Sequence, residues 1–163
     1  MSRKTAKIIT AFHKYRPKPD QLRQAAQDRF LDAECLFEAG RYNSAVYMAG
    51  FVIEFHFKAL LLERHRNLQS PVDPADLSAS DRDVHRLLYS SHALDEMLGF
   101  LPEVEKKLAG AKTASGRSAW AGLQDICAEW TVYVRYATAA TGKDRSREYL
   151  DTIEEVKKWL MQM

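Results

Sequence analysis

Residues Arg41–Arg64, RYNSAVYMAGFVIEFHFKALLLER, are the most apolar stretch of a 163-residue chain. At 100° per residue, the stretch predicts a helix with two apolar faces. Such a helix must be covered on both sides, so we expect it to lie at the centre of the fold. One face holds Ala45, Val46, Ala49, Val52, Ile53, Phe57 and Leu60, and the other holds Met48, Phe51, Phe55, Ala59 and Leu62.

The same helix carries two charged residues in its middle, Glu54 and Lys58. Glutamate placed four residues before lysine is the favourable order for a helical ion pair. An ionised carboxylate in a mostly buried helix is tolerated only when it is paired or hydrogen-bonded. The sequence therefore predicts a basic partner for Glu54, and the candidates are Lys58, Arg29 and Arg135.

Three further main helices flank this one. Pro19 and Asp20 are typical of a helix start and Gly40 of a helix end, which predicts a first helix from Pro19 to about Ala39. A third helix is predicted over about Arg117 to Ala137. A last one, capped by Asp144 or Ser146, is predicted to run to the C-terminus. No period-two pattern indicates a strand, so we predict an all-α, up-and-down helical bundle.

The segments between the main helices are predicted to be loops and short helices. Residues 67–83 and 111–116 are rich in Pro, Ser, Asp or Gly, which is typical of loops. Ser91 is expected to cap a short helix that Pro102 closes, and a further short helix is expected to follow Pro102.

Composition indicates one globular domain, residues 19–163, behind a basic arm, residues 1–18. The chain is 46% hydrophobic and 28% charged, with a net charge of +2. The arm holds six of the 24 basic residues and none of the 22 acidic ones, so the rest of the chain has 18 basic and 22 acidic residues. Either the arm contacts phosphate or it is a solvated terminus.

Several classes of protein do not fit the pattern. The apolar runs are interrupted by charge, and the N-terminus lacks the apolar segment of a secretory signal, so we expect a cytoplasmic protein without a membrane helix. Cys35 and Cys127 lack metal-ligand spacing and are expected to be reduced core thiols. GAKTASGRS at 110–118 resembles a P-loop but has the wrong spacing. We predict neither a metal nor a cofactor.

The stretch AECLFEAGRYNSAVYMAGFVIEFHFKALL, residues 33–61, resembles the central helical hairpin of HEPN domains. The shared features are a G-x-Y-x-x-A-x-Y-x-A-G run from Gly40 to Gly50, the following Glu54, and K-A-L-L from Lys58. SSHALDEML at 90–98 and VYVRY at 132–136 fit the same family in order and spacing, so the resemblance covers about residues 20–162. It implies a helical bundle that pairs as a homodimer through this region. The second apolar face of the helix is readily covered by such a symmetric partner, and it predicts an interface that uses Met48, Phe51 or Phe55.

Many HEPN domains are metal-independent ribonucleases with an R-x(4-6)-H motif, and Arg135 matches its arginine. The histidine should then fall at 140, 141 or 142, where the chain has Ala140, Thr141 and Gly142. Arg86 and His92 do have the motif spacing, but about one such pair is expected by chance in a chain of this composition.

The resemblance therefore implies a HEPN-like homodimer that acts by binding rather than catalysis. Its expected ligand is a nucleotide, RNA or a partner protein such as a nucleotidyltransferase or an antitoxin. Its expected context is a toxin–antitoxin or defence system. The expected phosphate-binding residues are Arg135, Lys143, Arg145 and Arg147. The alternative is a divergent ribonuclease toxin that uses Arg135, Glu54, Arg86 or His92.

Overall fold

The computed structural model describes residues 16–136 and 142–163, and within them the fold is all-α, as predicted. Seven α-helices follow one another within these described ranges. They are α1 (Pro19–Glu38), α2 (Tyr42–Arg64), α3 (Ala79–Ser90), α4 (Leu94–Gly99), α5 (Pro102–Leu108), α6 (Ala119–Glu129) and α7 (Lys143–Leu160). Short 3₁₀ segments occupy Arg66–Gln69, Pro74–Asp76 and Val132–Tyr136. Residues 1–15 of the basic arm and residues 137–141 lie outside the described ranges.

Helices α1 and α2 form an antiparallel hairpin, the most extensive helix pair of the fold. The turn between them places Gly40 at φ 73°, a conformation that glycine adopts without steric cost. At the other end of the hairpin, Arg23 Nη1 lies 2.7 Å from Glu63 Oε1, which joins the start of α1 to the end of α2. The predicted bounds of both helices are confirmed to within one or two residues.

Helix α7 packs against this hairpin and against α6. Near its start, Arg147 forms two hydrogen bonds of 3.0 Å with the carboxylate of Glu34, close to the end of α1. Nearer its end, Lys157 Nζ donates a 2.9 Å hydrogen bond to Gln27, in the middle of α1. These two contacts fix α7 antiparallel to α1, so α1, α2 and α7 enclose the main core.

Both faces of α2 are covered largely by the chain itself. The first face is buried throughout, and on the second face Ala59 and Leu62 are buried while Met48, Phe51 and Phe55 are half-buried. By length and composition α2 could cross a membrane, but 78% of its most apolar window is buried inside the protein, as in a core helix of a globular domain. The second face therefore does not by itself require a partner subunit.

The prediction that residues 67–83 form one loop was wrong, because α3 begins at Ala79. Ser78 begins the helix, because its Oγ accepts a 3.1 Å hydrogen bond from the backbone N–H of Asp81. Val84, Leu87 and Leu88 then bury one face at helical spacing. The S-x-x-D pattern followed by this apolar stripe was the signal for a helix start.

The predicted end of the third main helix is also wrong, because α6 stops at Glu129 rather than near Ala137, which lies outside the described residues. Trp130 is extended, with ψ 129°, and a 3₁₀ segment follows. Thr131 Oγ1 accepts a hydrogen bond from the backbone N–H of Tyr133. This local bond and the run of β-branched residues compete with a continuous α-helix.

Four capping and terminus predictions fail as well. Ser91 Oγ accepts from the backbone N–H of Ala93, outside α4, and Pro102 begins α5 instead of closing α4. The N-cap of α7 is Gly142, so neither Asp144 nor Ser146 caps that helix. The helix was predicted to run to the C-terminus, whereas α7 ends at Leu160.

The two cysteines differ in their surroundings. Cys127 is buried, and burial raises the pKa of its thiol to about 12. Cys35 is exposed, so the prediction that it is a core residue was wrong. Both thiols are free.

Candidate functional site

Glu54 lies in a buried polar cluster on α2. Its carboxylate is 1% exposed and lies 2.8 Å from Lys58 Nζ, which confirms Lys58 among the predicted partners. Lys58 Nζ also donates a 3.1 Å hydrogen bond to the carbonyl oxygen of Ser91. The cluster thus joins the middle of α2 to the segment that precedes α4.

His92 completes this cluster from the surface side. Its Nδ1 lies 3.0 Å from both carboxylate oxygens of Glu54, while its side chain is 49% exposed. An Nδ1–H that donates to the carboxylate leaves Nε2 as the proton acceptor of the neutral ring. The sequence did not predict this pairing, since 38 residues separate the two side chains and no local pattern relates them.

An aromatic series runs from His92 along the second face of α2. The Phe51 ring makes edge contacts with the rings of His92, Tyr47 and Trp130, at centroid separations of 6.0, 5.1 and 5.2 Å. Trp130 Nε1 donates a 3.2 Å hydrogen bond to the carbonyl oxygen of Tyr47. Trp130 thereby anchors the chain immediately before the 3₁₀ segment that carries Arg135.

Gly50 allows this anchoring. A Cβ at position 50 would lie 2.0 Å from Trp130 Cε2 and Nε1, so a larger residue cannot occupy the position without displacing the indole. Gly50 belongs to the sequence run that resembles HEPN domains, and the structure explains its place in that run. The sequence indicated the glycine but not its contact.

Arg135 lies on the exposed 3₁₀ segment, between two exposed tyrosines. Tyr133 is 71% and Tyr136 is 66% exposed, with ring centroids 6.5 Å apart and planes at 33°. The guanidinium carbon of Arg135 lies 4.7 Å from the centre of the Tyr136 ring. Hydrogen bonds with the side chains of Tyr136 and Tyr47 raise the pKa of Arg135. We call Tyr133, Arg135 and Tyr136 the tyrosine–arginine surface.

The other predicted phosphate-binding residues lie at the start of α7. Lys143 and Arg145 are exposed, and Arg145 lies 3.6 Å from Glu129. Arg147 lies between Glu34, Glu38 and Asp151, and its guanidinium carbon is 4.0 Å from the centre of the Phe37 ring. These carboxylates compete with any phosphate for Arg147.

Arg86 and His92 are not joined in the structure, although their spacing matches the ribonuclease motif. Arg86 is exposed on α3 and pairs with Glu96, whereas His92 pairs with Glu54. Arg135 does not reach Glu54 through any contact in the described ranges, and Arg29 pairs with Asp32. The structure therefore brings together Glu54, Lys58 and His92, and leaves Arg86 and Arg135 elsewhere.

The protein has the fold of a helical domain, a bundle of α1, α2 and α7. It carries a polar cluster on α2 and an arginine after α6. The family model of the HEPN domain matches residues 20–163, most of the chain. The chain belongs to the HEPN domain family, which points to a function related to nucleotides or RNA, or to a toxin-like function. Comparison with curated proteins found no match, and comparison with solved structures found none either.

Proposed function

We propose that the chain is a HEPN domain that binds single-stranded RNA without cleaving it. The observation that carries this proposal is the tyrosine–arginine surface, where the Arg135 guanidinium lies over the exposed Tyr136 ring and the exposed Tyr133 ring lies beside it. Single-stranded nucleic acids are bound by aromatic side chains on which bases stack, together with basic groups that contact the phosphates. A single nucleotide also carries a base and a phosphate, so the same surface could bind a nucleotide.

The exposure of the two tyrosines supports binding rather than packing. A buried tyrosine would contribute to the core, whereas Tyr133 and Tyr136 leave most of their ring surface open. Stacking is worth roughly 1–3 kcal/mol per base and depends little on sequence. Lys143 and Arg145 lie beyond residues 137–141 along the chain and supply further positive charge for the phosphates.

The absence of the family histidine after Arg135 supports binding without catalysis. Ala140 and Thr141, which lie outside the described residues, and Gly142 occupy the three positions of the motif. None of these three residues can transfer a proton as an imidazole does. Proton transfer of this kind contributes about 10²–10⁴-fold to a reaction rate.

Fluorescence anisotropy with a labelled single-stranded RNA tests the proposal. We expect binding at low salt that weakens as salt rises, because released counterions drive the phosphate contacts. Arg135→Gln, Tyr133→Ala and Tyr136→Ala should each weaken binding. Arg86→Gln is the matched control, because Arg86 is an exposed arginine on another helix. Equal binding by all four variants, or no binding at low salt, would contradict the proposal.

The pairing of His92 with Glu54 favours a second function, a divergent metal-independent ribonuclease. A histidine oriented by a buried carboxylate is suited to take a proton from a ribose 2′-hydroxyl. Incubation of the protein with RNA in the presence of a chelator separates the two functions. Cleavage that His92→Ala abolishes and Arg86→Gln retains would replace the binding proposal with this one.

We further propose that the protein is a homodimer in the cytoplasm, paired through Met48, Phe51 and Phe55. The half-buried state of these side chains supports an interface there. A partner protein, such as a nucleotidyltransferase or an antitoxin, becomes the better hypothesis if neither RNA binding nor cleavage is observed.

A further inference from the structure

A groove of about 490 Å³ lies between the residues that precede α1, the middle of α2 and the second half of α3. Leu22, Leu88 and Phe55 supply much of its apolar wall. It shares no lining residue with the tyrosine–arginine surface. The groove is therefore a separate feature of the molecule, of a size that suits a small ligand.

The polar groups of the groove are basic. Arg16, Lys58 and His85 line it, and among the described lining residues none is a carboxylate. Lys58 Nζ is held by Glu54 and by the carbonyl oxygen of Ser91. Such a lining favours a ligand that carries negative charge.

Tyr89 gives the groove a fixed aromatic wall. Its hydroxyl donates a 2.8 Å hydrogen bond to the carbonyl oxygen of Leu68, which fixes the ring. The guanidinium carbon of Arg16 lies 4.7 Å from the centre of that ring, and the His85 ring lies 4.9 Å from it. Two basic groups are thus arranged around one immobilised aromatic ring.

We propose that this groove binds a small organic anion that combines a ring with one negatively charged group. The ring packs against Phe55 and Tyr89, and the charge lies beside Arg16 and His85. This site goes beyond the proposed RNA surface and does not depend on it.

The surroundings of His85 make binding sensitive to pH. Burial, and to a smaller extent the charge of Arg16, lower the pKa of His85, so the ring is neutral at pH 7. The other charged and titratable groups that line the groove are Arg16 before α1, Lys58 on α2 and Tyr89 on α3, and Lys58 is paired with Glu54. An anion beside Arg16 offsets the charge of that guanidinium and so raises the pKa of His85. Binding then takes up a proton and strengthens as the pH falls.

Calorimetric titration with benzenesulfonate tests the site, because this anion keeps its charge across the titration range of histidine. Sulfate and benzyl alcohol are the comparison probes, the first with charge and no ring, the second with a ring and no charge. We expect benzenesulfonate to bind more tightly than either, and about 5–10-fold more tightly near pH 5.5 than near pH 8. Binding of sulfate as tight as that of benzenesulfonate, or no binding of benzenesulfonate, would overturn the proposal.

Variants identify the residues. His85→Gln should remove the pH dependence, and Arg16→Gln should weaken binding at every pH. Arg86→Gln is the matched control, because it alters the next residue of α3, whose side chain pairs with Glu96 outside the groove. Affinity that neither His85→Gln nor Arg16→Gln changes would also overturn the proposal. RNA binding by His85→Gln should stay unchanged, so this site and the proposed RNA surface can fail separately.

Discussion

Gly50 is the residue on which the placement of Arg135 depends. The Gly50→Ala change would place a methyl group 2.0 Å from the Trp130 indole, which must then move away from α2. We expect the free energy of unfolding to fall by about 1–3 kcal/mol, as in other overpacked cores. Chemical denaturation measures the loss, and tryptophan fluorescence reports the displacement of the indole.

Gly99→Ala is the matched control for this prediction, because Gly99 ends α4 and an added Cβ there meets nothing within 4 Å. That variant should be neutral or slightly more stable, since alanine favours a helix more than glycine does. If both variants unfold at the same denaturant concentration, Trp130 does not pack on Gly50 as described.

His56 makes the stability of the protein depend on pH. Its side chain on α2 is buried, and burial, helped by the charges of Arg23 on α1 and Lys157 on α7, lowers its pKa to about 4. In the unfolded chain the pKa is about 6.5. Between these two values the unfolded state binds a proton that the folded state does not bind, so acidification favours unfolding.

We expect this histidine to remove about 1–2 kcal/mol of stability between about pH 7 and about pH 5. Denaturant midpoints at the two pH values measure the change, and His56→Gln should reduce it because glutamine does not titrate. An equal pH dependence in both proteins would assign the effect to other groups.

At the scale of single elements, the sequence predicted the helices that bury a continuous apolar stripe. The hairpin of α1 and α2 was predicted because periodicity and the Pro and Gly signals agree there. The end of α6 was not predicted, since besides the local bond of Thr131 it depends on the packing of Trp130 on Gly50, which is 80 residues away. Helix α3 was missed because the Ser and Asp residues typical of loops also cap helices.

Some features of the candidate site could be predicted from the sequence, and others could not. The pairing of Glu54 with Lys58 could be predicted, because helical spacing fixes the distance between them. The contact with His92 could not, because it depends on where the chain returns after α3. Tyr133 and Tyr136 were visible in VYVRY, but a predicted α-helix through this segment concealed their exposure.

The contact between α7 and α1 gives a prediction at this scale. Arg147 makes a two-pronged ion pair with Glu34 and covers the Phe37 ring, and its side chain is 34% exposed. We expect Arg147→Ala to lower the free energy of unfolding by about 1–2 kcal/mol, since both a paired charge and apolar cover are lost. Denaturant unfolding measures this.

Arg145→Ala provides the comparison for that prediction, because Arg145 is 69% exposed and lies 3.6 Å from its carboxylate. Its loss should cost little stability, as is usual for exposed ion pairs. RNA binding should show the opposite order, with the Arg145 variant weakened more than the Arg147 variant. A stable Arg147→Ala protein with impaired RNA binding would instead assign Arg147 to the phosphate contacts.

At the scale of the whole molecule, the chain has 163 residues and a mass of 18.7 kDa, and the second face of α2 remains partly open. Trp130 and His92 cover part of this face, so the apolar area left for a partner is smaller than the sequence alone suggested. An interface there needs further contacts around it to reach the area of a stable dimer.

We nevertheless expect sedimentation equilibrium at micromolar concentration to give a mass near twice 18.7 kDa. Met48→Glu and Phe55→Glu should shift the protein toward monomer, because each places a charge at the half-buried face. Phe51→Glu is less suited to the test, since Phe51 also packs on Trp130. Leu31→Glu is the control, because Leu31 is an exposed apolar residue on α1. A single species of 18.7 kDa in the unaltered protein would contradict the dimer, and the RNA surface would then have to act within one chain.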